Sequence, residues 1–417
     1  MVSQSYLMTL VRKLGLVATC IVALVAVAAE GPSTTSASRR SKLQKTVQLT
    51  HGNGPSTNAV ISGDRRWARA IAFESEASNL VRGDANGLGD VFVVRRAGRF
   101  DNRGQMWRPG KTRLLSRARG GRPANGASWA PAISGGFDVG PKCVAFLSDA
   151  SNLASRDRNG VSDAFVANIS RGGPKRVSLP HGTESAQPTT QVTVSADCRK
   201  VAFVTGGRLY VASTRGRVSA RRLRVRGTAA DPSFAVGRTA DLVFADRRGV
   251  EYVRNGTGRP RLVARGARNP AFNGVRTRVV AYEKFWGGHW QIAFHPLGRR
   301  QHFASKNRGH FGNADSRNPM IANSGKYVTF ETDATNLGVN ASGRTGDSNG
   351  RPDTYLYTDN RKITLVQSVK QKAVPLNGGG RNPSMNFYAN YVVFDSPAPM
   401  NAAEGPHQIF MRYLGPV

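Results

Sequence analysis

Short apolar runs of four to six residues alternate along the chain with stretches rich in Gly, Asn, Asp, Ser and Pro. Long helical periodicity is scarce, so the pattern predicts an all-β protein. One run recurs: a β-branched or apolar residue, a small or apolar one, then an aromatic. It reads IAFES at Ile71, VAFLS at Val144, VAFVT at Val201, LVFAD at Leu242, VAYEK at Val280, VTFET at Val328 and VVFDS at Val392. The closest of these cores, at Val201, Leu242 and Val280, stand about 40 residues apart, the length of a four-stranded propeller blade.

Each core has the same neighbours. Upstream lies a short run such as NAVIS (58–62), APAIS (130–134) or NPMIANSG (318–325). Downstream comes an alternating run: DVFVV at Asp90, DAFVA at Asp163, RLYVAS at Arg208, VEYVR at Val250, WQIAF at Trp290, DTYLY at Asp353 and HQIFMRY at His407. A fourth run often follows, as in TRLLS at Thr112, KRVSL at Lys175, RLVAR at Arg261 and ITLVQS at Ile363. Four strands, a to d, make one unit. A lone unit has two open edges and two faces it cannot bury, and packing units around an axis removes both problems. The seventh unit stops after strand c. Its missing strand has a match in KTVQLT (45–50), which precedes the first strand a as KTRLLS precedes the second. Residues 47–50 are therefore predicted to complete the last blade. The expected fold is a seven-bladed β-propeller over residues 46–417, closed by its N-terminal strand.

The pattern running from IS through VAF to ASNLV, GD-x-NG and DVFV, strongest over 61–93 and 133–166, resembles the TolB-like, WD-type propeller repeats of exported bacterial proteins. The sixth unit, from Ile321, matches with an insertion before Asp347; the third to fifth match only in their strand cores. The resemblance implies a fold. It implies little about function, because such propellers host binding, scaffolding and several enzyme activities. TolB itself carries an α/β domain ahead of its propeller, and the segment ahead of residue 46 is too short for one. A TolB-type role in envelope trafficking therefore does not carry over.

Residues 1–29 read as a signal peptide. Arg12 and Lys13 precede an apolar-to-small run, and Ala26-Val27-Ala28 offers a small-x-small cleavage site. The run is short for a membrane span, and the competing reading is a retained N-terminal anchor. Cys20 fits a lipid-attachment site poorly. Residues 30–45, rich in Ser, Thr, Arg and Lys, read as a flexible leader. Export would leave Cys143 and Cys198 in an oxidising compartment, where a disulfide is the expectation. Both precede strand b, in adjacent units, so the bridge is predicted to join two blades.

The charge changes the picture of partners. Sixty Lys and Arg face 26 Asp and Glu, a formal net charge of +34. Such a field attracts polyanions; the competing reading is an Arg-rich composition with no cognate anion. The expected partners are an anionic cell-envelope polymer or an envelope protein. Nucleic acid is expected to bind only non-specifically, since no nucleic-acid module is recognisable. No stable membrane span is expected after signal cleavage, and a monomer is expected.

Three units carry an Asp-x-Asn-Gly-x-x-Asp loop between strands b and c: Asp84, Asn86 and Asp90; Asp157, Asn159 and Asp163; Asp347, Asn349 and Asp353. The spacing resembles part of a Ca²⁺ loop. Arg82, Ser155 or Thr345 stands where the first, usually acidic, ligand should be, and no Glu closes any copy. Asp and Asn also cap turns, and Asn-Gly supports positive φ. The loops are thus either structural turns or partial Ca²⁺ sites; no other cofactor is expected.

Aligning the seven strands a exposes a column: Asn58, Ala130, Gln191, Asp231, Asn269, Asn318 and Asn382. Arg268, Arg317 and Arg381 precede the last three, within a repeated Arg-Asn-Pro. Strand a lines a propeller's channel. Its start lies on the face that also carries the b–c connections, including EKFWGGHW (283–290) with Trp286, His289 and Trp290. The expected ligand site is this mouth, where arginines grip an anion and aromatics stack on a ring. The competing reading has Asn-Pro starting each strand and solvated arginines.

No GxSxG, HExxH or P-loop is present. The seven histidines are scattered, mostly on connections. The sequence therefore favours an exported, non-catalytic propeller that binds an anionic envelope component or a partner protein on its mouth face. The alternative is a propeller hydrolase or lyase acting on acidic polysaccharide.

Overall fold

The computed structural model of the chain describes residues 46–414 except 66–67, 99–106, 119, 276–277, 323–324, 339–346, 348, 359–362, 366–377 and 398–404. The signal and leader segments, Thr345 and the end of the sixth unit's last strand lie outside the described residues.

Seven antiparallel four-stranded sheets form, each ordered a-b-c-d. Blade 1 is Ser56–Ile61, Ala70–Ser75, Asp90–Arg96 and Pro109–Leu114, and blade 2 is Ser128–Ile133, Cys143–Ser148, Asp163–Asn168 and Gly172–Arg176. Blade 3 is Thr189–Val194, Lys200–Thr205, Arg208–Ser213 and Arg221–Arg222, and blade 4 is Ala230–Phe234, Leu242–Asp246, Gly249–Val253 and Arg261–Arg265. Blade 5 is Ala267–Asn273, Val279–Trp286, His289–Pro296 and His302–Phe303, followed by a small hairpin of Lys306–Asn307 and His310–Phe311. Blade 6 is Ser316–Ala322, Tyr327–Thr332, Asp353–Thr358 and Ile363–Leu365. Blade 7 takes strands a to c from Arg381–Met385, Tyr391–Ser396 and Gln408–Tyr413, and its fourth strand is Thr46–Gln48 from the other end of the chain. The fold is thus an all-β, seven-bladed propeller.

The closing strand begins one residue earlier than predicted. Thr46 pairs with Arg412, Val47 with Met411 and Gln48 with Phe410. Beyond it, Leu49 N donates to Ile409 O at 2.7 Å, and Ile409 N donates to Thr50 Oγ1 at 2.8 Å. The ring therefore closes by pairing the two ends of the described chain.

The core explains the repeated motif. Apolar clusters lie between successive blades, including one between blades 7 and 1 that joins Tyr391, Val393, Ile409 and Met411 to Ile71, Phe73 and Phe92. Strand alternation sends the small residue of each core to one neighbour and the aromatic to the other. Ala72 of blade 1 meets blade 2, while Phe146 of blade 2 packs back on blade 1. In five blades the strand b aromatic stacks on its cross-strand partner in strand c, as in Phe73–Phe92 and Phe146–Phe165 with centroids 5.6 and 5.8 Å apart. Large rings against small residues let twisted sheets interlock at native density.

Cys143 and Cys198 form a disulfide between blades 2 and 3, with Cα atoms 6.1 Å apart. No helix among the described residues is long and apolar enough to cross a membrane.

Candidate functional site

Every strand a slips register near its start. Such a bulge re-aims the backbone. The polar column sits on these bulges: Asn58, Ala130, Asp231, Asn269, Asn318 and Asn382 all have φ between 47° and 53°. Asn and Asp tolerate the left-handed region better than most residues. The composition of the column is thus a backbone requirement as well as a channel lining.

Six of the seven bulges turn an N–H toward the preceding blade. Asn58 N donates to Asp395 Oδ1 at 3.3 Å, Ala130 N to Glu74 Oε2 at 2.8 Å, and Asp231 N to Gln191 Oε1 at 2.6 Å. Asn269 N reaches Asp231 Oδ2 at 3.1 Å, Asn318 N reaches Glu283 Oε1 at 3.1 Å, and Asn382 N reaches Glu331 Oε2 at 2.9 Å. Side chains extend the ring: Asn269 Nδ2 donates to Glu283 Oε1 at 2.8 Å and Asn382 Nδ2 to Asp395 Oδ1 at 2.9 Å. Burial pushes the Asp231 carboxyl above the ordinary range, helped by the nearby Glu283 charge. The acids Glu74, Glu283, Glu331 and Asp395 are absent from the sequence reading of the site. Their signal was legible: all four hold the fourth position of the strand b core.

These acids alter the arginine row. Arg268 Nε lies 2.7 Å from Glu283 Oε2, and its guanidinium stacks 3.7 Å from the Trp290 ring centroid. Arg317 lies 3.4 Å from Glu331 Oε1 and also pairs with Asp333. Arg381 is exposed and makes no ion pair among the described residues. The three arginines therefore do not form one unpaired cationic clamp.

The blade 5 hairpin stands out from the mouth face. Its strand b has eight residues, against five or six in the other blades. Gly287 and Gly288, at φ 63° and 87°, make the two-residue turn such a hairpin needs. Phe285 and Trp286 are 54% and 50% exposed. Phe285 packs edge-on to Trp290, while Trp286 leans on Phe303 and Phe311. His289 lies 3.7 Å from Asp315. The structure thus brings Trp290 to Arg268 and puts Trp286 and His289 on the hairpin's other face.

The channel is blind. At its far end the a–b connection of blade 2 crosses the axis: Gly135 N donates to Ala196 O at 2.8 Å and Phe137 N to Val236 O at 3.0 Å. A Cβ on Gly136 would lie 1.8 Å from Val236 O, so the close approach requires glycine. Arg65 of blade 1 sits over the Phe137 ring at 4.6 Å, and Phe387 of blade 7 contacts it at 4.8 Å. Above this plug lies an apolar cavity of about 190 Å³ lined by all seven blades, including Ile133, Phe234, Phe272 and Met385.

The first two Asp-Asn-Gly loops join their blades to the connection that enters the next. In all three the Asn amide nitrogen donates to the second Asp: Asn86 to Asp90 at 2.7 Å, Asn159 to Asp163 at 3.1 Å and Asn349 to Asp353 at 3.2 Å. Its oxygen accepts an N–H within the turn, from Leu88, Val161 or Arg351. Asn86 and Asn159 also reach Ala124 O and Ser185 O in the next connection, at 3.2 and 3.0 Å. Within the second loop Arg176 supplies a cation, 3.0 Å from Asp157, 3.1 Å from Asp163 and 2.5 Å from Glu184. Burial pushes Asp84 and Asp157 up and holds Asp90 at about 6. In each copy the Asn oxygen is thus engaged inside the turn, and in the first two the Asn amide nitrogen also latches the loop to the connection of the next blade. Asp347 is buried and its Oδ1 accepts from Asn349 N at 3.2 Å. No group of three or more His, Cys, Asp or Glu converges as a metal site among the described residues.

No family model and no curated sequence matches the chain. Solved structures that resemble it are β-propeller proteins. The β-propeller domain of the Trilobed protease from Pyrococcus furiosus, which has an open velcro topology, aligns at 11% identity and TM-score 0.49, over 87% of this chain and 94% of that one. The acylaminoacyl peptidase of Pyrococcus horikoshii aligns at 12% identity and TM-score 0.47, over 85% of this chain and 51% of the peptidase, so the chain spans about half of that enzyme. A protein of Agrobacterium tumefaciens described as a TolB aligns at 11% identity and TM-score 0.40, over 73% of this chain and 94% of that one. At such identities the likeness concerns architecture and carries no functional argument.

Proposed function

We propose that this chain is an exported, non-catalytic propeller that holds an anionic envelope component or an envelope protein on its mouth face. The observation that carries this reading is the exposure of Phe285 and Trp286 at the tip of a hairpin longer than its six counterparts. Exposed large rings beside polar groups mark contact surfaces, since covering them returns free energy that folding left unused. The Arg268–Trp290 stack stands at the base of the same hairpin, with the Arg268 side chain still 51% exposed. Arg381 adds a second exposed cation along the rim. A ring-bearing acidic partner would use both kinds of group. The apolar run ahead of Ala28 and the interblade disulfide support export to an oxidising compartment.

The test is calorimetry against an oligogalacturonate and retention by a washed envelope fraction, both at low and high salt. The double variant F285A/W286A should weaken binding at least about tenfold while melting like the parent, because surface truncations cost little stability. Undiminished binding by that variant would remove the hairpin from the contact and end this reading.

A further inference from the structure

A second surface, on the outer rim and independent of the mouth, carries a stronger charge signal. A groove of about 690 Å³ runs between the last strand of blade 3 and the outer part of blade 4. Arg221, Arg222, Arg224 and Arg226 line one wall, and Arg248 and Arg259 line the other. Leu223 is buried and Val225 half-buried, so in this extended segment Arg222, Arg224 and Arg226 share the outward face, and Arg221 is exposed at its start. Outward residues two apart in an extended chain stand roughly 7 Å from each other.

These guanidinium groups are concentrated along one groove without matching carboxylates of their own, Arg226 alone lying near the Glu251 charge that Arg248 already pairs. Arg221, Arg222, Arg224, Arg226 and Arg259 are exposed, and none makes an ion pair among the described residues. The acid lining the groove is Asp246, and it is already engaged: Oδ2 accepts Arg226 N at 3.1 Å and Oδ1 accepts Arg248 N at 2.8 Å. Arg248 is paired with Glu251. Five unpaired cations along one groove repel one another, and an extended polyanion relieves that repulsion while releasing its own counterions. Arginine forks match phosphate oxygens bidentately. No aromatic ring lines the groove, so nucleobases would find nothing to stack on.

The geometry points to a binding site, on the blade 3–4 rim, for a linear phosphate polymer without bases. The chain lies along the groove from Arg221 and Arg259 at one end to Arg226 at the other, with guanidinium groups roughly 7 Å apart meeting phosphates that are not adjacent in the polymer but about two links apart.

The test titrates full-length mature protein with linear polyphosphate, a single-stranded oligonucleotide and polyglutamate of matched charge. Three proteins are compared: the parent, R222Q/R224Q/R259Q, and a charge-matched control on blade 1, R108Q/K111Q/R113Q. The groove variant should lose at least about tenfold in polyphosphate affinity and flatten the log–log salt slope by about 2, and the control should lose less than about threefold. Equal losses in both variants would reduce the effect to bulk charge and overturn the site. Tighter binding of the oligonucleotide, or equal binding of polyglutamate, would overturn the phosphate-polymer assignment. Should the glutamine variant fail to fold, R222K/R224K/R259K carries the test. It keeps the charge and removes the fork, and unchanged affinity there would likewise overturn the proposal.

Discussion

Asn318 of blade 6 donates its backbone N–H to Glu283 Oε1 of blade 5 at 3.1 Å. The same carboxylate accepts Asn269 Nδ2 at 2.8 Å and holds Arg268 at 2.7 Å, while being only 3% exposed. One strand b acid thus fixes the bulge of the next blade and the side chain of its own. Glu283→Ala would leave two donors and a cation without their acceptor. It should cost about 2–3 kcal/mol, the Arg268 pair counting for little because that side chain is half exposed. Urea midpoints of the parent, Glu283→Ala and Glu283→Gln would read this, with glutamine recovering part of the loss. A null effect of the alanine would show that the ring is not a stabilising element.

Arg176 is the cation of the second Asp-Asn-Gly loop, and its side chain is 8% exposed between Asp157 and Asp163. Arg176→Met would leave these acids and Glu184 facing one another uncompensated. The expected loss is about 3 kcal/mol. Millimolar Ca²⁺ should then raise the melting temperature of the variant and leave that of the parent unmoved, since oxygen ligands exposed to one another accept a hard cation. A variant indifferent to Ca²⁺ would mean that the guanidinium does not occupy a cation position.

Asp64 sits at the far end of the channel, where burial pushes its carboxyl from 3.8 up to about 6 against the opposing pull of Ser62 and Arg69. Between those values the folded chain binds more protons than the unfolded one. Its contribution to stability is therefore present at low pH and falls as pH rises through that window, then stays level. Asp64→Asn should remove this slope and gain up to about 2–3 kcal/mol over the parent above pH ~6. Denaturation midpoints between about pH 4 and 7 would check it; parallel profiles for parent and variant would refute it.

The Cys143–Cys198 bridge closes a separation of 55 residues between blades 2 and 3. Replacing both with serine should cost about 2–4 kcal/mol by freeing the unfolded chain. The same shift should follow reduction of the parent, and reduction should leave the double variant unmoved. A parent whose midpoint ignores reductant would show that the bridge adds no stability.

The sequence by itself determined the number of blades, the four-strand unit and the closure by residues near 46. These features are local. Strand alternation, the aromatic–aromatic register of pairs such as Phe73–Phe92, and Asn-Gly turns are written within a few residues of one another, and repetition makes them unmistakable. The chain-end match of 45–50 to a strand d was enough to predict the closure. The strand a column and the Arg-Asn-Pro repeats were legible too, because both follow from the same alignment. What those residues touch was decided by tertiary structure alone. Glu283 and Glu331 neutralise Arg268 and Arg317, Arg176 fills a loop that reads as a metal site, and Phe137 plugs the channel against Arg65, Val236 and Phe387, all distant from it in sequence. Five outer arginines were left unpaired by the same process. Each of these outcomes turns on which charge or ring a neighbouring blade brings within about 3–4 Å, the range over which hydrogen bonds and ion pairs act. Blade packing sets that distance, and no run of neighbouring residues records it.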